Sequence, residues 1–213
     1  MQVIFFTITT FWIAFPLSFQ IRDLIRGNLF LRIIRIVGMN IPYLAVFSVL
    51  PIPQYDFRVK TSLIIISALA ALIYTTFDIQ NLRNSMNKYL FHYLKKVEGK
   101  NLVSRGGEVI IVPVIEELFF RGVVPLEASV KEIIIVFGVS TLLFLVAHYI
   151  GQSKEMYYHI KLILLSLMAM GLYFWTKNIL YSIIFHALCN LPWFVTNLKM
   201  YLYEKNKGES HTI

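Results

Sequence analysis

Three charged residues stand inside one of the most apolar stretches of the chain. The segment PVIEELFFRG, residues 113–122, places Glu116, Glu117 and Arg121 among Val, Ile, Leu and Phe. Glu117 and Arg121 are four residues apart, so on a helix they share a face and can form an ion pair. Glu116 is rotated by about 100° from Glu117, and this ion pair does not neutralise it. A carboxylate held apart in this way suits a general base.

Two later apolar stretches carry polar groups at helical spacing. The stretch TLLFLVAHYI contains Phe144 and His148, and the stretch SIIFHALCNLP contains His186 and Asn190. Two histidines, an amide and two glutamates therefore fall on three separate segments, and a helical bundle can bring such groups to one interior site. These residue types can transfer protons and can donate hydrogen bonds to a developing oxyanion.

The elements that must position these residues are membrane spans. The chain has 213 residues and is 57% hydrophobic but only 15% charged, whereas a soluble domain has about 25% charged residues. Apolar segments of about 17–25 residues recur, and each is long enough to cross a hydrocarbon core about 30 Å thick. We therefore predict an all-α fold, a polytopic membrane helix bundle of about seven transmembrane helices. The predicted spans are residues 2–19, 28–50, 61–77, 107–126, 132–150, 160–176 and 178–198.

We treat residues 1–213 as a single integral membrane domain with three parts. Residues 1–77 hold the N-terminal spans, of which the first is expected to be retained because it lacks a signal-peptide cleavage pattern. Residues 78–106 are predicted to form an amphipathic helix on the cytoplasmic membrane face. The alternative for this segment is a solvated linker helix. Residues 107–198 hold the polar motifs.

The distribution of basic residues predicts the orientation. If the N-terminus lies outside, fifteen of the 20 Lys and Arg residues fall in inner segments and four in outer ones. This bias favours an outside N-terminus and a cytoplasmic C-terminus. It also explains the net charge of +8, so we expect a lipid bilayer and no nucleic acid among the partners. The abundance of Ile, Lys, Asn and Tyr is typical of a bacterial protein, which indicates a bacterial plasma membrane.

The polar residues form three motifs in order along the chain: Glu116-Glu117-x-x-x-Arg121, Phe144-x-x-x-His148 and His186-x-x-x-Asn190. They resemble the signature motifs of the CAAX-type intramembrane endopeptidases. That family includes the type II CAAX prenyl proteases and the bacterial CPBP proteins, and it is also called the Abi family. The resemblance covers about residues 107–198, and the first hundred residues carry no family motif.

The resemblance implies hydrolysis of a peptide bond by a glutamate-activated water, with no covalent intermediate and no cofactor. It assigns Glu116 to take the proton from water and His148 to help hold that water. His186 and Asn190 would donate hydrogen bonds to the oxyanion. The remaining motif residues are expected to orient the site: Glu117, Arg121 and Phe144. The expected substrate is a short hydrophobic peptide or a membrane protein, in bacteriocin processing or immunity.

Several alternatives remain open from the residues alone. Glu116, His148 and His186 are chemically suited to zinc, although the H-E-x-x-H signature is absent. Cys189, three residues after His186, is the single cysteine and a candidate nucleophile, but a buried cysteine usually packs as a small hydrophobe. A non-catalytic membrane binding or immunity protein would use the same residues as a structural polar network. A transporter would show paired halves, which the sequence lacks.

Overall fold

The computed structural model describes residues 1–25, 29–52, 56, 58–87, 91, 97–149 and 156–209. Within these ranges all regular elements are helical, which confirms the predicted all-α bundle. The elements are α1 (Gln2–Leu24), α2 (Leu29–Asn40), the 3-10 helix η1 (Ile41–Ser48), α3 (Thr61–Thr76), α4 (Ile79–Ser85), α5 (Gly99–Phe120), α6 (Val130–Tyr149), α7 (Met156–Thr176) and α8 (Ile179–Glu209).

All seven predicted spans correspond to helical segments, but they differ in hydropathy. Among the described residues, five segments are long and apolar enough to cross a membrane: Gln2–Leu24, Phe30–Ser48, Val130–Tyr149, Met156–Thr176 and Ile179–Asn206. A sixth results if α3 and α4, which are bent by 78° at their junction, count as one span. The remaining predicted span corresponds to α5, whose charged residues lower its hydropathy below that of the others.

The helix that carries the first motif has different bounds from the prediction. α5 begins at Gly99 rather than at residue 107, because a polar turn precedes its apolar part. It ends at Phe120 rather than at residue 126. There the amide N–H of Gly122 bonds back to the carbonyl of Glu117 at 2.9 Å, and Pro125 follows, which cannot continue a helix.

The predicted amphipathic segment, residues 78–106, is less continuous than expected. Its described helical parts are α4, which starts after the turn at Asp78, and the first turns of α5. Residues 86–87 and 97–98 between them are not helical. Residues 88–90 and 92–96 lie outside the described residues.

α5 is the central helix of the bundle, and it packs against α8 and α2. The contact with α2 is close at Gly107, where an added Cβ atom would lie 2.7 Å from Cδ1 of Ile36. Around the C-terminal end of α5 the core is aromatic. Its fully buried rings are Phe11, Phe119, Phe144 and Phe185. This packing fixes the face that α5 turns toward α6 and α8.

Candidate active site

A buried polar group lies where α5 meets α8. Glu117 and Arg121 are both fully buried, and Arg121 Nη1 lies 3.1 Å from Glu117 Oε1. The same oxygen lies 2.7 Å from Nδ1 of His186 on α8. The i, i+4 contact expected from the sequence is therefore present, and His186 joins it from a second helix. Glu117 thus connects the first motif to the third.

Phe144 on α6 packs against the Arg121 side chain of this group. Its fully buried ring lies beneath the Arg121 guanidinium, with 4.4 Å between the guanidinium carbon and the ring centre. The ring centre lies 4.3 Å from that of His148 and 6.4 Å from that of His186. The face of an aromatic ring attracts a cation, and the attraction is stronger when the cation is desolvated. Phe144 therefore packs against residues of all three motifs.

Glu116 lies between the two histidines. Its Oε1 atom is 3.8 Å from Nε2 of His148, and its Oε2 atom is 3.8 Å from Nε2 of His186. The Glu116 side chain is 18% exposed, against 0% for Glu117. The two adjacent glutamates therefore differ in the way that their helical rotation predicts: one is sealed in an ion pair and the other faces open space.

The hydrogen bonds of the two histidines fix which ring nitrogen faces Glu116. His148 Nδ1 lies 2.9 Å from the carbonyl oxygen of Phe144, which can only accept, so Nδ1 carries a hydrogen. An ionised Glu117 likewise accepts from Nδ1 of His186. We assign both tautomers from these partners. In their neutral forms, both rings then present an Nε2 lone pair toward Glu116.

The fourth predicted catalytic residue, Asn190, lies further along α8. It lines the same cavity as Glu116 and both histidines. Its Nδ2 atom donates to the backbone carbonyl of Glu108 at 3.1 Å. An amide nitrogen carries two hydrogens, so this bond uses one of the two. The structure brings Asn190 to the cavity but joins it to α5 at Glu108, two turns before Glu116.

This cavity has a volume of about 310 Å³ and a wall that includes charged groups. Sequence reasoning missed four of them: Asp78, Arg105, Glu108 and Lys161. Asp78 and Lys161 form a mostly buried ion pair between the start of α4 and α7. Arg105 pairs with Glu108 at 2.6 Å. Lys161 stands inside a predicted span and Asp78 directly after one, so the cost of a charge in apolar surroundings was the signal that could have found them.

The sequence left two alternative sites open, a cysteine nucleophile and a zinc site. Cys189 is a free, buried cysteine that lines the cavity. Among the described residues, no group of three or more His, Cys, Asp and Glu side chains has the geometry to hold a metal ion. The absence of a cofactor stays a prediction.

The fold and the buried site together define a class of protein. It is a polytopic helical membrane protein whose interior holds a carboxylate and two histidines at the wall of a cavity. Residues 98–192 match the family model described as type II CAAX prenyl endopeptidase Rce1-like, the family that the three motifs resemble. The match supports a CAAX-type intramembrane protease, an enzyme that acts on a peptide or protein.

The matched region starts one residue before α5 and ends within α8. It contains all three motifs and leaves α1 to α4 outside. Neither the curated proteins nor the solved structures include one that matches this chain.

Proposed function

We propose that the protein is a glutamate-dependent intramembrane endopeptidase that hydrolyses a peptide bond in a hydrophobic peptide or a membrane protein. The observation that carries this proposal is the position of Glu116. Each of its carboxylate oxygens lies 3.8 Å from the Nε2 atom of one histidine, and its side chain lines an open cavity.

The distance between Glu116 and His148 suits a bridging water. A water oxygen about 2.8 Å from each partner spans the 3.8 Å between Glu116 Oε1 and His148 Nε2. Such a water donates one hydrogen to each acceptor and keeps a lone pair for the substrate carbonyl carbon. When the water attacks, Glu116 takes its proton, and the carbonyl π electrons move to the oxygen. The resulting tetrahedral intermediate is not bonded to the protein.

In this proposal His186 and Asn190 donate hydrogen bonds to the negatively charged oxygen of the tetrahedral intermediate. His186 has to donate from Nε2 while Nδ1 donates to Glu117, so it acts as an imidazolium. The carboxylates of Glu116 and Glu117 lie on its two sides, with Glu117 Oε1 2.7 Å from Nδ1 and Glu116 Oε2 3.8 Å from Nε2. With Arg121 counted, the group then holds two negative and two positive charges. Asn190 contributes its second N–H. The intermediate collapses when Glu116 passes its proton to the leaving amine.

The cavity's position also bears on how substrate arrives. Its lining comes from the end of α3, the start of α5, the end of α6 and the start of α7, and from the middle of α8. In the orientation predicted from the basic residues, these ends all lie on the cytoplasmic side. We therefore place substrate entry there, in a bacterial plasma membrane. Processing of bacteriocin-like peptides, or immunity to them, fits such an enzyme.

Glu116→Gln is the variant that tests this function. It keeps size and hydrogen bonding but removes the base. Membranes from cells that express wild type, Glu116→Gln or Glu127→Gln at matched levels would be compared by mass spectrometry of peptide termini. Glu127 is an exposed carboxylate at the opposite end of the bundle, so its variant controls for loss of a negative charge. We expect new termini with wild type and Glu127→Gln, and none with Glu116→Gln.

Identical termini in all three samples would contradict the proposal. They would favour the non-catalytic alternative, in which the polar group stabilises the packing of a membrane binding or immunity protein. The full burial of Glu117 and Arg121 is compatible with that role. The partly exposed position of Glu116 between two histidines is what favours the enzyme.

A further inference from the structure

Glu116 and His148 line a second cavity as well as the polar one. This second cavity has a volume of about 170 Å³ and lies between α1, α2, η1, α5 and α6. Its other lining residues are mostly large and apolar: Phe15, Ser18, Phe19, Met39, Asn40, Tyr43, Ile115, Phe119, Phe120 and Ala147. We call it the aromatic cavity. The groups that would hold the attacking water thus stand between a charged cavity and an apolar one.

The polar atoms in the aromatic cavity are largely used within the protein. Ser18 Oγ donates to the carbonyl of Phe15 at 2.7 Å, and Asn40 Nδ2 donates to the carbonyl of Ile36 at 2.7 Å. Both bonds lie within a single helix. What the cavity offers a ligand is therefore mainly apolar surface, beside the polar residues Asn40, Tyr43, Glu116 and His148.

The volume of the aromatic cavity limits its occupant. An apolar cavity of about 150 Å³ holds a benzene molecule, so 170 Å³ suits one side chain of the size of Leu or Phe. A second residue or a long lipid chain does not fit in that space. The residue that carries the scissile carbonyl has its side chain only two bonds from the carbon under attack. A carbonyl placed at the Glu116 water therefore brings a neighbouring side chain to this opening.

We propose that the aromatic cavity binds an apolar side chain of the substrate residue next to the scissile bond. The lining from α1, α2 and η1 then sets which side chain is accepted. This inference rests on the proposed protease function and adds its side-chain specificity. It assigns a role to helices that lie outside the matched region, residues 98–192. The charged cavity on the other side of Glu116 is left to water and to the polar part of the peptide.

Two substitutions on α1 test the proposal in opposite directions. Phe19→Ala enlarges the aromatic cavity, and Ser18→Leu fills part of it. Leu17→Ala is the matched control, because Leu17 is adjacent to Ser18 in the sequence, is 38% exposed and does not line the cavity. Each full-length variant, wild type and Glu116→Gln would be purified in detergent and incubated with a library of proteome-derived peptides. Mass spectrometry then gives the residues on both sides of every cut.

We expect wild type to prefer Leu- or Phe-sized residues at one position beside the cut. Phe19→Ala should shift that preference toward larger residues such as Trp, and Ser18→Leu toward Ala or Val. A change of one or a few methylenes in an apolar pocket alters relative kcat/KM by about 10–200-fold, so we expect shifts of at least about tenfold. Leu17→Ala should cut with the wild-type preference. Opposite shifts cannot come from a general folding defect, which lowers all cuts together.

Two results would overturn the inference, and they are distinguishable. If wild type cuts the library and both α1 variants keep its preference, the aromatic cavity does not select a side chain, while the protease function stands. If wild type produces no cuts beyond those of Glu116→Gln, the proposed function fails and this inference fails with it.

Discussion

At the scale of single residues, the site depends on which nitrogen each histidine directs at Glu116. His148 uses Nδ1 to bond the Phe144 carbonyl, and a ring held in that way keeps Nε2 free to accept from a water. His186 uses Nδ1 to bond Glu117. The two rings have the same local arrangement, yet the proposed mechanism gives them different protonation states. His186 lies beside two carboxylates, those of Glu116 and Glu117, whereas the carboxylate near His148 is that of Glu116.

Replacement of His148 by Phe tests the role of its Nε2 acceptor. Phe keeps a ring beside Phe144 but cannot accept a hydrogen from water. We expect kcat to fall by about 10²-fold, the size of effect that misplacing a reactant can have, with a smaller change in KM. His159→Phe is the control, because His159 stacks on Tyr149 at 5.5 Å and does not line either site cavity. A rate for His148→Phe close to that of wild type would argue against the bridging water.

Substitution of Arg121 tests how much the buried ion pair contributes to stability. Arg121→Met leaves the Glu117 carboxylate buried without its cation, and breaking a buried pair in this way costs about 3–5 kcal/mol. The double variant Arg121→Met with Glu117→Gln removes both charges and keeps an acceptor for His186. We expect it to recover at least half of the loss in free energy of unfolding. Denaturation of the detergent-solubilised protein measures all four members of the cycle. No recovery in the double variant would mean that Arg121 acts through packing on Phe144 alone.

At the scale of elements, α5 has to fit closely against α2 while it presents its motif to α6 and α8. The close approach is made at Gly107, whose absent side chain leaves room for Ile36. Glycine inside a helix is normally unfavourable by about 1 kcal/mol relative to Ala. The close contact with Ile36 explains why residue 107 is a glycine. Gly106, the adjacent residue on the same helix, makes no such contact and serves as a control.

Gly107→Ala and Gly106→Ala should have opposite effects on stability. A Cβ at residue 107 lies 2.7 and 3.0 Å from two atoms of the buried Ile36 side chain, whereas one at residue 106 meets Phe194 at 3.7 Å. We expect Gly107→Ala to lower the free energy of unfolding by about 1–3 kcal/mol through overpacking. Gly106→Ala should raise it by up to about 1 kcal/mol through helix propensity. Adding Ile36→Val to Gly107→Ala, which removes the nearest atom, should restore part of the loss.

At the scale of the whole molecule, the two ends of the bundle differ in chemistry. One end holds the charged cavity with its two ion pairs, and the other holds a cavity of about 240 Å³ lined mainly by apolar residues such as Leu50 and Val124. The positive-inside rule assigns the charged end to the cytoplasm. Orientation in the membrane decides which compartment supplies the substrate.

Cysteine labelling tests that orientation. In a Cys189→Ser background, Lys131→Cys and Arg83→Cys each place one exposed thiol at opposite ends of the bundle. With an outside N-terminus, a membrane-impermeant maleimide added to intact cells should label the residue-131 variant. The residue-83 variant should react only after permeabilisation. The reverse pattern would place the charged cavity outside and move substrate entry to that side.

Sequence predicted the parts of the site that depend on spacing along one helix. The Glu117–Arg121 contact and the separation of Glu116 from it both follow from helical rotation. The contact of Glu117 with His186 could not be predicted, because it depends on how α5 packs against α8. The ends of α5 were also misplaced, since a polar first turn extends the helix at Gly99 and the bond from Gly122 ends it at Phe120. The aromatic cavity could not be predicted because half of its lining residues lie on α1, α2 and η1, which carry no polar motif.

The ion pair at the C-terminal end of α5 bears on how the chain enters the membrane during synthesis. α5 carries Glu116 and Glu117, with Arg121 directly after its last residue, and it is not among the described helices that are apolar enough to cross on hydropathy alone. His186, the partner of Glu117 on α8, is 69 residues further along and leaves the ribosome later. Until then the counter-charge for Glu117 is Arg121, one turn away along the same segment. A geometry that orients the finished site therefore also lowers the cost of membrane insertion before the rest of that site exists.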